Sequence, residues 1–64
     1  MKDINNLIKN CQNIELIYKL NNKSIKYSGI IVRYYEDRNQ IMLHNGHNVL
    51  LDIKNILNIK ILTD

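Results

Sequence analysis

The sequence contains no proline, tryptophan or phenylalanine, and only one cysteine and two glycines among 64 residues. A single thiol, Cys11, excludes an internal disulfide framework and leaves too few thiols for a structural zinc site, in keeping with a reducing compartment. No metal or covalent bridge is therefore expected to support the fold. Without phenylalanine or tryptophan, the core must be built from 12 isoleucines, 8 leucines, two valines and four tyrosines, an aliphatic and strongly branched set. There is no uninterrupted apolar run of the roughly 7–15 residues that a signal peptide needs, nor a longer one, so a cytoplasmic protein without a membrane span is expected. Linkers, internal repeats and low-complexity blocks are also missing, which leaves one domain over residues 1–64.

Catalytic signatures are equally scarce. No GxSxG, P-loop, HExxH or CxxC occurs, and no two carboxylates are spaced for acid–base work, so a non-enzymatic protein without a cofactor is expected. A domain this small buries only about 60% of its unfolded surface and keeps a few kcal/mol of net stability, a shortage that self-association would relieve. Nine Lys and Arg against six Asp and Glu give a net charge of +3 and an isoelectric point near 9.2, a mild bias toward anionic partners. Eleven asparagines beside twelve isoleucines and seven lysines point to an AT-rich coding sequence, as in low-GC bacteria, their plasmids and their phages.

The periodicity places a helix over residues 3–11, with Asp3 as its cap and Ile4, Leu7, Ile8 and Cys11 as one apolar stripe. From Asn13 the period becomes two, giving a strand over 13–20 with Ile14, Leu16, Tyr18 and Leu20 inward. A two-residue turn at Asn21-Asn22 would pair Tyr18 with Ile25, Leu16 with Tyr27 and Ile14 with Gly29, opening a second strand over 24–35. Simple alternation would carry Arg33 inward, so a bulge or sharp bend is expected at Gly29. After a turn at 36–39 come strands 40–44 and 47–51, joined by a two-residue type I′ turn at Asn45-Gly46. A tight helical turn near Asp52–Asn55 precedes the last strand, 56–62, in which Leu57, Ile59 and Ile61 would share a face.

One helix followed by five short strands, with a glycine inside a long second strand, resembles a five-stranded, strongly bent antiparallel Sm-like barrel, mainly β with one N-terminal helix. The run Ile17-Tyr18, Gly29-Ile30-Ile31, Ile41-Met42-Leu43, Leu50-Leu51-Asp52-Ile53 and Ile56 is similar to the C-terminal module of YolD-like proteins. Cys11-Gln12 ahead of the first strand also looks like the Rho-binding antiterminator family. The Arg-Gly element of RNA-binding Sm proteins is replaced here by Ile56-Leu57-Asn58. The resemblance implies assembly through the edges of the fourth and fifth strands.

Ligand-binding candidates are Lys26, Arg33, Tyr34, Tyr35, Arg38, His44, Asn45 and His47. Aromatic rings beside guanidinium groups suit stacking on bases and contact with phosphates. A two-residue turn would set His44 directly across from His47, two imidazoles able to hydrogen-bond a phosphate or a base, although too few ligands lie nearby for a metal site. The same register pairs Ile41 with Leu50 inward, putting Met42 opposite Val49 on the outer side together with Leu51 and Ile17. These four, Ile17, Met42, Val49 and Leu51, form the expected interface of a homo-oligomer. Two functions follow: a non-catalytic module that binds RNA, DNA or a nucleotide signal at protomer junctions, or a phage- or plasmid-encoded inhibitor that docks on a host protein.

Overall fold

The computed structural model describes residues 3–62, in the order α1 (Ile4–Lys9), β1 (Asn13–Leu20), β2 (Lys23–Tyr35), a 3-10 turn (Glu36–Arg38), β3 (Gln40–His44), β4 (Asn48–Asp52), a second 3-10 turn (Ile53–Asn55) and β5 (Ile56–Ile61). Asp3 caps α1, its side chain accepting from the Asn5 N–H at 3.1 Å. The helix stops two residues earlier than the apolar spacing suggests. Cys11 enters the left-handed region at φ 47°, its N–H donating to the Ile8 carbonyl, while the Gln12 N–H reaches back to that of Leu7. This paired termination swings Cys11 out of the helical stripe and leaves it exposed rather than in the core.

All five strands are antiparallel and lie in the order β4-β3-β2-β1-β5. The β1–β2 hairpin has the expected register, with Tyr18 opposite Ile25, Leu16 opposite Tyr27 and Ile14 opposite Gly29; Asn21 takes φ 58° in its turn. The inner face collects Ile14, Leu16, Tyr18, Ile31, Ile41, Leu43, Leu51, Ile56 and Ile59, and α1 lays Ile4 and Leu7 over it. The described strands do not close into a barrel: β4 and β5 each pair on one side only and remain as edges.

Three phase changes depart from simple alternation. In β2 the irregularity falls at Val32 instead of Gly29: Ile31 opposes Leu43 and Arg33 opposes Met42, so Val32 is the extra residue. Its insertion keeps the Arg33 guanidinium out of the core and returns Tyr34 to the inner face opposite buried Ile41, avoiding an unpaired buried charge. Gly29 has a different job. At φ 150°, a Cβ there would lie 2.4 Å from the His44 carbonyl oxygen, so only glycine lets β3 approach this closely. In β5, Leu57 is the extra residue between the Ile17–Asn58 and Tyr18–Ile56 pairs; it turns outward, and Ile56 takes the inward place expected for it.

The third change is in the β3–β4 hairpin. His44 pairs with Asn48, so the loop has three residues, Asn45-Gly46-His47, closed by an Asn45 N–H to His47 carbonyl bond of 3.2 Å. β4 therefore starts at Asn48, not at residue 47, and ends at Asp52. Hydrophobic pairing explains why the local preference of Asn-Gly for a two-residue turn loses. A two-residue turn would set inward Leu43 against Asn48, whereas the observed register sets Ile41 against Leu51 and Leu43 against Val49. A slip of one residue reverses every side chain of β4. Leu51 is buried at 2% exposure and Val49 packs against the core, while Leu50, 47% exposed, joins Met42 outside.

Candidate functional site

The expected ligand-binding residues fall into three places rather than one. Tyr34, Tyr35 and Arg38 gather where β2 meets the first 3-10 turn, with Arg33 outward on β2 just before them. The Arg38 guanidinium carbon sits 4.7 Å from the centre of the Tyr35 ring, a cation–π contact that already occupies the face of that ring. Tyr34 points the other way, toward the core, and lines an open cleft of about 460 Å³ with Asp3, Ile4, Asn5, Glu36, Asn39 and Ile53. Two carboxylates in that lining make it unfavourable for an anion.

His44, Asn45 and His47 stand at the far end of β3, about 14 Å along the strand from Gln40 at roughly 3.4 Å per residue. The two histidines are not cross-strand partners. His44 faces Asn48 instead, with Nδ1 2.9 Å from the Asn48 side-chain oxygen, and His47 lies within the loop. Among the described residues no three His, Cys, Asp or Glu side chains converge as ligands for a metal ion. Lys26 stands apart from both ends, outward in the first half of β2 and 3.8 Å from the Glu15 carboxylate.

A second cleft, also of about 460 Å³, lies beside Gly29 of β2. Its walls are Asn13, Ser28, Gly29, Ile30, His44, Asn45 and Leu62. Asn13, Ile30 and His44 form one cross-strand row through β1, β2 and β3. No carboxylate lines this cleft, and it takes in two of the sequence candidates, His44 and Asn45. Sequence reading missed Asn13 and Ser28, because their convergence depends on the close approach of β2 and β3 at Gly29 rather than on any local motif.

The outer face of the sheet is cationic. Lys19 on β1, Lys26 and Arg33 on β2 and Lys60 on β5 all project from it, against Glu15 and Asp52. Glu15 is shared with Lys26, and Asp52 accepts from Gln40 Nε2 at 2.9 Å, so both carboxylates have partners. At the β4 side of this face Val32, Met42 and Leu50 form an apolar band, with Val32 41% exposed. Of the four expected interface residues, Ile17 and Met42 are outward and half-buried, whereas Val49 and Leu51 belong to the inner face.

The edges differ in how they are protected. β5 carries the Leu57 bulge within its ladder to β1, away from its free side, and Lys60 on the outer face. β4, Asn48-Val-Leu-Leu-Asp52, has no proline, lysine or bulge along its free side. Two inward residues on these edges, Val49 and Ile61, are only half covered. No helix among the described residues is long and apolar enough to cross a membrane. No protein-family model matches the chain, and no curated protein or solved structure is significantly similar to it.

Proposed function

We propose that this chain is a non-catalytic binding module that assembles with copies of itself in the manner of an Sm-like fold and takes up nucleic acid or a nucleotide at the junctions between copies. The observation that carries the reading is the segregation of charge: four cations, Lys19, Lys26, Arg33 and Lys60, against two carboxylates on the outer face of the sheet, Glu15 lying 3.8 Å from Lys26. Assembly is supported by the unprotected β4 edge and by half-covered Val49 and Ile61 at opposite ends of the strand order. An added strand would cover both. Antiparallel pairing of β4 on a neighbour's β5 brings the Asn45–His47 loop of one copy beside Leu62 of the next, so the cleft at Gly29 becomes a junction.

The test is fluorescence anisotropy of a labelled single-stranded oligonucleotide across a salt series. Affinity should fall linearly on a log–log plot, and Lys26→Glu with Lys60→Glu should flatten the slope by about 1.4 while leaving the fold intact. An oligonucleotide that binds equally well at all salt concentrations, or not at all, contradicts the reading.

A second reading rests on the Val32, Met42 and Leu50 band. An exposed apolar row beside an open edge also suits docking on a different protein, as a phage- or plasmid-encoded inhibitor of a host target would. In that case Leu50→Asp abolishes capture of the target while oligonucleotide binding is absent from the start.

A further inference from the structure

The two clefts have similar volumes and opposite characters. The one beside α1 offers Asp3 and Glu36; the one at Gly29 offers neutral hydrogen-bonding groups and borders a cationic face. We infer that the Gly29 cleft is a binding site for a nucleoside monophosphate unit, holding the base against Ile30 and Leu62 and directing the phosphate toward Lys60. The inference rests on the nucleotide-binding reading above and names its site and ligand chemistry.

Four polar side chains point to a base rather than to a sugar or a bare anion. Asn13 and Asn45 each offer an amide donor beside an acceptor, the pattern that pairs with the edge of adenine. Ser28 adds a hydroxyl. His44 is oriented by Asn48, its Nδ1 2.9 Å from the amide oxygen; the tautomer that donates from Nδ1 to that oxygen leaves Nε2 as an acceptor, suited to an exocyclic amine. Ile30 and Leu62 supply apolar surface for the ring. A volume of about 460 Å³ falls within the usual range for small-ligand sites.

Placement of the phosphate follows from register. Lys60 pairs with Glu15, and Glu15 with Ser28, so Lys60 stands two strands from the cleft on the same face, about 10 Å away. Glu15 lies between them, 3.8 Å from Lys26, whose charge partly offsets it. The Gly29 backbone, pressed against the His44 carbonyl, ties β2 to β3 and holds the walls together.

The experiment is an amide-resolved NMR titration of the full chain with AMP, adenosine, inorganic phosphate and a short oligoadenylate. AMP should shift the amides of Asn13, Ser28, Ile30, His44 and Asn45 and bind about tenfold more tightly than adenosine or phosphate alone. Ser28→Leu, which fills the cleft from an exposed strand position, should weaken AMP about tenfold at unchanged thermal midpoint; Asn45→Ala, in the loop, gives a second variant should the first perturb the strand. Lys60→Ala should weaken AMP and leave adenosine unchanged. Oligoadenylate binding tighter than AMP assigns the unit to a strand of nucleic acid, and equal binding assigns it to the free nucleotide. An oligonucleotide that binds with its footprint elsewhere overturns the cleft and leaves the broader reading standing. Absence of any shift with AMP and with every oligonucleotide overturns both.

Discussion

Leu50 and Leu51 are adjacent and chemically identical, so truncating each in turn measures which face of β4 looks inward. At roughly 0.05–0.15 kcal/mol per residue, a chain of 64 residues is stable by about 3–10 kcal/mol. Leu51, 2% exposed and opposite fully buried Ile41, leaves an enclosed void when cut to alanine, a loss of about 3 kcal/mol within the usual range for such sites. Leu50, 47% exposed on the outer face, leaves no enclosed void, and its loss should stay below about 1 kcal/mol. For a domain of this size the difference corresponds to thermal midpoints at least about 8 °C apart. Urea unfolding followed by circular dichroism reads it directly, at one protein concentration because assembly adds a concentration-dependent contribution to both variants. If Leu50→Ala proves the more damaging, the hairpin loop has two residues. Val49 and Leu51 would then face outward, His44 would oppose His47, and the Gly29 cleft as drawn would not exist.

Other substitutions probe the remaining joints. Gly29→Ala should destabilise the chain by about 3 kcal/mol, since the new Cβ meets a backbone oxygen that cannot move aside and φ 150° suits only glycine; unfolding at ambient temperature or a large fall in midpoint checks it. Cys11→Gly relieves a left-handed residue at the helix end and should stabilise by about 0.5 kcal/mol after the added freedom of the unfolded chain is subtracted, a rise of a few degrees by calorimetry. Tyr18→Phe removes the hydroxyl that accepts from the Asp52 N–H at 3.0 Å and from Asn55 Nδ2 at 3.5 Å. Losing it costs about 1–2 kcal/mol and exposes the Asp52 amide to faster hydrogen exchange.

Legibility in the sequence tracked how many independent signals agreed. In the β1–β2 hairpin the alternation of Ile14, Leu16 and Tyr18 and the Asn21-Asn22 turn specify the same pairing, and the observed register matches it residue for residue. At the β3–β4 hairpin the signals disagree. Asn45-Gly46 favours a two-residue turn, while Leu43 opposite Val49 requires three, and core pairing over several residues outweighs one turn preference. That conflict was present in the sequence, in the polar Asn48 that a two-residue turn would set against Leu43. The bulges at Val32 and Leu57 left a weaker trace: Arg33 headed for the inner face signals that the phase must change, but not where. Of the candidate site, His44 and Asn45 were found from the hairpin tip. Asn13 and Ser28 join them only because Gly29 lets two strands close up, a tertiary effect with no local signature.

Native mass spectrometry of the purified full chain tests assembly and ligand together. The account predicts species at whole multiples of 7.6 kDa, carrying added mass that matches a nucleotide or oligonucleotide and is shed as ionic strength rises. A single bare species at 7.6 kDa, unchanged on adding AMP or oligoadenylate, would contradict it.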